Sequence, residues 1–222
     1  MDLSKFPRRI YTKGATPIEP MPVLSKALGG DVNLWVKRDD LLGLTGGGNK
    51  TRKLEFVMAD VLLQGADTIV TCGAVQSNHC RLTLSACIKE GLKCVLILEE
   101  RVPGSYQETA GGNNYLFRLM GAEQIVPVGL GEAPAMVDKV AAELRAKGRN
   151  VYCIPGGASN EIGALGYCAC AAEIQVCIYI CCCSDYYIVK FGSRCHFFLL
   201  YSHLFVYSTN NLPNNFPGWT PW

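Results

Sequence analysis

Between residues 34 and 174 the chain alternates short runs of β-branched and aliphatic residues with longer helical stretches. That alternation restricts the fold more than any other feature. Leu34–Lys37, Thr68–Cys72, Lys93–Leu98, Gln124–Val128 and Val151–Ile154 read as strands. Asn49–Gln64, Gln76–Glu90, Gln107–Met120 and Pro134–Lys147 read as helices, and Glu161 opens a further one. Pro134 stands near a helix start, and Gly65, Gly91, Gly121 and Gly148 stand just after helix ends, where a left-handed residue stops a helix. Strands that alternate with helices pair in parallel and are covered on both faces. The pattern predicts an α/β chain built on a parallel sheet.

Composition limits the partners. With 222 residues, 49% of them hydrophobic, the chain can bury a sizeable core without staples. A net charge of +2 is too small for a nucleic-acid binder, which needs a clear basic excess, so a small metabolite is the expected partner. Of the 12 cysteines, Cys72, Cys80, Cys87, Cys94, Cys153, Cys168 and Cys170 are dispersed through apolar or helical segments and the rest, Cys181, Cys182 and Cys183 among them, lie near the C-terminal end, and no Cys-x-x-Cys pair recurs at zinc-ligand spacing. They read as free thiols, and no metal is expected. The N-terminal MDLSKFPRRIYTK has arginines but no apolar stretch behind them, so it does not read as a secretory signal. It is also a poor mitochondrial transit peptide, being short and not Ser-rich.

From about Gln175 the character changes. The segment is dense in Phe, Tyr and Cys, and its charged residues are Asp185, Lys190 and Arg194. It shows neither a helical period nor a clean alternation. The apolar run Cys195–Tyr207 is interrupted by His196, Ser202 and His203 and is shorter than the ~20 residues a bilayer demands, so no membrane span is expected. Residues 175–222 read as sequence of different origin, such as translated intron or out-of-frame sequence.

Two motifs carry chemistry. The first is Thr45-Gly46-Gly47-Gly48-Asn49-Lys50-Thr51-Arg52-Lys53-Leu54-Glu55. Glycines let a backbone approach a ligand closely, and the following helix aims its N–H groups at whatever sits there. A lysine in a cationic, partly desolvated setting becomes a nucleophile, which makes Lys50 a candidate for covalent attachment to a carbonyl compound. A nucleotide-binding P-loop fails by one residue, because Asn49 stands where the lysine must be. A plain Gly-rich turn before a basic helix start remains open. The second motif is Thr71-Cys72-Gly73-Ala74-Val75-Gln76-Ser77-Asn78-His79, between a strand and a helix. Ligands of open parallel sheets bind at such junctions, and the polar groups here make a seat for a carboxylate. Ser77 and Asn78 can equally be helix caps, and His79 a structural histidine.

Taken together, GGGNKTRKLE and TCGAVQSNHCR resemble the paired signatures of the D-cysteine desulfhydrase and aminocyclopropane-carboxylate deaminase family. TPIEPMPVLSKALG, WVKRDDL and IPGGASNEIGALGY fit the same family, and the likeness covers about residues 6–174. The resemblance implies a tryptophan synthase β-like pyridoxal-phosphate fold (fold type II), here with the small domain whole and the cofactor domain largely missing. Its implied divisions are 1–52 and 161–174 for the cofactor domain, 53–160 for the small domain and 175–222 for a non-family tail. The resemblance further implies that Lys50 carries pyridoxal 5'-phosphate, Asn78 bonds its ring 3-hydroxyl, Lys53 lies near its phosphate, and Asn49 belongs to the same cradle. Ser77 would hold the substrate carboxylate and act as a nucleophile or proton carrier, with Gln76 and His79 lining the site. The implied substrate is a small amino acid, D-cysteine or aminocyclopropane-carboxylate, handled by a homodimer. The implied location is mitochondrial, or cytoplasmic if this form lacks a transit peptide. The phosphate loop, the partner of the ring nitrogen and an active-site tyrosine would fall beyond residue 174. The chain is therefore expected to be catalytically inactive alone, or a non-catalytic splice product that pairs with full-length subunits.

Overall fold

The computed structural model describes residues 2–29, 33–181 and 187–189. In chain order the elements are β1 (Ile18–Pro20), α1 (Pro22–Ala27), β2 (Leu34–Lys37), α2 (Lys50–Leu63), β3 (Thr68–Ala74), α3 (Asn78–Lys89) and β4 (Lys93–Glu99). There follow α4 (Asn113–Leu119), β5 (Gln124–Val128), α5 (Ala133–Ala146), β6 (Val151–Ile154), α6 (Glu161–Cys181) and β7 (Tyr187–Val189). The expected strands of the alternating region are present, two of them extended by one or two residues.

Two elements differ from expectation. Helix α4 begins at Asn113, not at Gln107, because Gly112 holds φ +64 and ψ −139, a conformation no helix continues through. Helix α6 runs past Gln175 to Cys181, so the change of composition does not end it. Among the described residues no helix is long and apolar enough to cross a membrane. The apolar run Cys195–Tyr207 lies outside the described residues. Cys72, Cys80, Cys87, Cys94, Cys153, Cys168 and Cys170 are free thiols, mostly buried or half-buried, with Cys168 exposed.

The chain divides into two compact units, Met1–Ala15 with Asp39–Gln175, and Thr16–Arg38 with the residues from Val176 onward. Residues 39–52 fall in the same compact unit as the four-stranded sheet. The Asp39 carbonyl accepts from Gly48 N–H at 2.9 Å, and its carboxylate accepts from Arg52 at 2.8 Å. In the second unit β2 pairs antiparallel with β1 and parallel with β7, with Leu34 opposite Tyr187. The buried Lys37 donates to the Thr16 carbonyl at 2.6 Å there.

The first unit holds a four-stranded sheet in the order β5-β4-β3-β6, all parallel. From β3 the chain steps outward to β4 and β5, and right-handed crossovers place α3 and α4 on one face. The return to β6 runs in the opposite sense and places α5 on the other. Alternation along the central strands follows. Ile69, Leu96 and Leu98 pack with Leu54, Val57, Leu82 and Phe117 of the helices on the first face. Val70, Val95 and Ile97 pack with Val140, Ala141 and Leu144 of α5. An N-terminal arm is pinned to this body by carboxylates: Glu55 accepts from Arg8 and from the N–H groups of Tyr11 and Thr12, and Glu90 accepts from Arg9 and the Tyr11 hydroxyl.

Leu96 is fully buried at the centre of β4, so Leu96→Ala should cost about 2–5 kcal/mol, cavity included. Urea unfolding followed by circular dichroism reads this as a lower midpoint, and an unchanged midpoint would contradict the packing described.

Candidate active site

The strand order reverses between β3 and β6, and at such a reversal an open parallel sheet forms a crevice at its carboxyl ends. Three segments meet there: the Gly-rich loop leading into α2, the β3–α3 turn, and the loop after β6.

The Gly-rich loop folds tightly. Gly47 has φ +66, and a Cβ there would collide with the Asp40 carbonyl oxygen, so only glycine fits. The loop delivers Lys50 to the first position of α2 with only 5% of its surface exposed. Gly157 lies against the lysine stem, with the place of a Cβ there 3.4 Å from Lys50 Cε. Arg52, also buried, pairs with Asp39 at 2.8 Å and Glu173 at 2.9 Å. Burial works to lower the Arg52 pKa, but its bonds to Glu173 and Asp39 outweigh that and hold it above the ordinary value. Asn49 is buried and donates its amide to the Tyr167 hydroxyl at 2.7 Å.

At the β3–α3 turn Ser77 caps the helix, its Oγ accepting from Cys80 N–H at 3.2 Å. A Cβ on Gly73 would collide with that hydroxyl and approach Cys80 Sγ to 2.9 Å, which accounts for glycine at this position. The N–H groups of Asn78 and His79 precede the first helical hydrogen bond of α3, from Arg81 to Ser77, and are donors suited to an anion. Asn78 is exposed, and its Oδ1 accepts from Asn113 at 2.9 Å and Arg81 at 3.3 Å. Gln76 is exposed too, but its side-chain amide is engaged with the 111–113 loop.

His79 sits in a different environment from the one the motif suggested. The residue is 5% exposed, with Nε2 at 2.8 Å from Thr71 Oγ1 and Nδ1 at 3.4 Å from Thr83 Oγ1. The Thr71 hydroxyl donates its proton to the Ile154 carbonyl at 2.8 Å, so His79 Nε2 must be the donor to Thr71. This neutral tautomer is kept by burial first, then by the positive charges of Lys50 and Lys53, which push the His79 pKa down to about 3. The ring braces β3, β6 and α3 together, and the residue offers the crevice its backbone N–H.

The loop after β6 carries Ala158 at φ +49, alone in positive φ among the described non-glycine residues. A left-handed alanine costs about 1–2 kcal/mol, and strain of this sort gathers at functional loops. The next residue, Ser159, accepts from Lys53 Nζ at 3.0 Å, and that ammonium also lies 5.7 Å from the Tyr167 ring centre. The structure therefore gathers Lys50, Lys53, Ser77, Asn78 and the His79 N–H around one crevice, with Asn49 anchoring its base. Sequence reasoning missed Arg81, which donates to the carbonyls of Thr45 and Gly47, the latter at 3.1 Å. It also missed Asn113. Arg81 lay two residues past the second motif, and a charged residue on the buried face of a predicted helix was the available signal.

Residues 10–193 match the family described as "Pyridoxal-phosphate dependent enzyme". A D-cysteine desulfhydrase of Yersinia enterocolitica is 45% identical over 174 residues, 78% of this chain and 52% of that protein. A crystal structure of an ACC deaminase homologue superimposes with a TM-score of 0.69 at 39% identity, covering 78% of this chain and 51% of that one. The crystal structure of a pyridoxal 5'-phosphate-dependent aspartate racemase, 16% identical, superimposes with a TM-score of 0.55 over 79% of this chain and 56% of its own, and shares the fold. The fold is thus the tryptophan synthase β-like, fold type II arrangement. The chain spans about half the length of the curated relatives it matches.

The residues in the crevice suit pyridoxal phosphate: a buried amine at Lys50 beside Gly157, an amide at Asn78, and a second ammonium at Lys53.

The depressed His79 pKa has a measurable sign. Below about pH 6.5 the unfolded chain takes up a proton at this position that the folded chain refuses, so stability falls with falling pH until about pH 3. Between pH 7 and 5.5 the loss from this residue should be about 1 kcal/mol, at a limiting slope near 1.4 kcal/mol per pH unit. Chemical denaturation across that range should show the slope in the native chain and a shallower one in His79→Gln. Equal slopes in both would contradict the assignment.

Proposed function

The chain belongs to the pyridoxal-phosphate dependent enzyme family, and from that premise we propose that it is the amine-bearing part of a lyase that converts D-cysteine and water to pyruvate, hydrogen sulfide and ammonia. The observation that carries this reading is the burial of Lys50 at the head of α2, against Gly157, in the crevice where the sheet reverses.

Each residue then has a task. Lys50 holds the cofactor through its amine and, once released from it, is the base for the substrate α-proton. Lys53, with Ser159 beside it, faces the cofactor phosphate. Asn78 donates its amide to the ring oxygen. Ser77 and the N–H groups at the start of α3 orient the substrate carboxylate, helped by the positive end of the helix dipole. When bound, pyridoxal phosphate supplies an electron sink for the pair left behind by the α-proton. The sulfide is expelled from the β-carbon. His79 takes no proton at any working pH, because its ring is buried, neutral and committed to Thr71 and Thr83.

The 39% identical ACC deaminase homologue supports a second reading, deamination of aminocyclopropane-carboxylate by the same residues. A homodimer and a mitochondrial address accompany the first reading as proposals.

A chimaera tests the choice. Residues 1–174 joined to the C-terminal half of the Yersinia enterocolitica relative should release pyruvate and sulfide from D-cysteine, and Lys50→Ala should lower the rate by a thousandfold or more. The 222-residue chain by itself should show no measurable turnover. A folded, cofactor-loaded chimaera active on aminocyclopropane-carboxylate alone would establish the second reading, and one inactive on both would reject the lyase proposal.

A further inference from the structure

The amide of Asn78 could present either end to the crevice without changing its shape. Neighbouring contacts decide which. The backbone carbonyl of Gln76 can only accept, so the Asn113 side chain, 2.9 Å away, must turn its NH2 group toward it. That same NH2 lies 2.9 Å from Asn78 Oδ1. Arg81 Nη2, which can only donate, lies 3.3 Å from the same oxygen. Two obligate donors therefore claim Asn78 Oδ1, and the NH2 end is what remains for the crevice.

Asn113 is held firmly enough to impose this. Its backbone N–H donates to Gln76 Oε1 at 2.8 Å, while Gln76 Nε2 donates to the Gly111 carbonyl at 3.1 Å. A Cβ on Gly112, which has φ +64, would approach Gln76 Oε1 to 2.8 Å, so the loop closes on this amide only with glycine there. Arg81 extends the frame, since the same guanidinium donates to the carbonyls of Thr45 and Gly47, just ahead of Lys50.

We propose that Asn113 is a positioning residue which, together with Arg81, locks Asn78 as a hydrogen-bond donor, so that the crevice selects a ligand carrying an anionic or acceptor oxygen on its ring. This rests on the reading of the crevice as a pyridoxal-phosphate site. Asn113 acts through Asn78 and touches neither substrate nor cofactor.

Asn113→Asp puts the idea to the test with almost no change of shape. A carboxylate cannot donate to the Gln76 carbonyl or to Asn78 Oδ1. The introduced carboxylate then draws the Asn78 NH2 toward itself, with Arg81 alone left to hold Oδ1, so the NH2 end is no longer locked toward the crevice. An acid in the first turn of α4 suits the helix dipole and offsets part of the two lost hydrogen bonds, so the chain should keep a cooperative thermal transition. The full 222-residue chain is titrated with pyridoxal 5'-phosphate and with 3-deoxypyridoxal 5'-phosphate, which lacks the ring hydroxyl. Binding is followed by absorbance.

For pyridoxal 5'-phosphate, Asn113→Asp should weaken binding by about tenfold or more, since a charge-assisted hydrogen bond is replaced by a repulsive contact. The visible band of the ionised ring hydroxyl should shrink relative to the near-ultraviolet band. For the deoxy analogue the change should stay under about threefold, and the selectivity between the two probes should collapse. Equal weakening for both probes, or none for pyridoxal 5'-phosphate, would overturn the inference and leave the site reading standing. If the unaltered chain binds neither probe, the site reading fails and the inference with it.

Discussion

The reversal of strand order between β3 and β6 is the constraint on which the rest of the structure depends. Because β6 pairs with β3 on the side away from β4, α5 is forced onto the face opposite α3 and α4. One hydroxyl ties the elements together at the carboxyl ends. Thr71 on β3 donates to the Ile154 carbonyl on β6 and accepts from His79 on α3. The proton order in that relay is dictated by the carbonyl, which can only accept. A histidine at the end of a motif that read as a carboxylate seat is thereby a strut.

Against this frame the first turn of α2 is an electrostatic anomaly. Lys50, Arg52 and Lys53 are all buried at the positive end of a helix dipole, where cations are disfavoured. Arg52 is compensated by two carboxylates, one of them Glu173 from α6. Lys53 meets the Ser159 hydroxyl and the Tyr167 ring. Such a local conflict persists where a function needs it, and an anionic cofactor would relieve it. The strain at Ala158 lies in the loop that brings Ser159 to Lys53, so the two departures from local preference belong to one site.

Much of this was legible in the sequence. The strands of the alternating region stood out because the central ones are buried on both faces and read as continuous aliphatic runs. The glycines that close α2, α3, α4 and α5 all have positive φ, as their place after each helix implied. Lys50, Ser77 and Asn78 could be named because they lie in contiguous motifs. Residues that act across long separations could not be found this way: Asn113 is 35 positions from Asn78, and Glu173 is 121 from Arg52. The continuation of α6 to Cys181 was hidden because Val176–Cys181 lacks a polar face, and periodicity cannot report a helix that is apolar all round.

Cofactor attachment at this crevice is proposed to fall on one buried amine, that of Lys50. Borohydride reduction of the chain with pyridoxal 5'-phosphate, followed by peptide mapping, tests it directly. The pyridoxyl group should be found on the peptide containing Lys50, ahead of every exposed lysine, and that labelling should vanish in Lys50→Ala. Labelling centred on Lys53, or spread evenly over surface lysines and unchanged by Lys50→Ala, would contradict it.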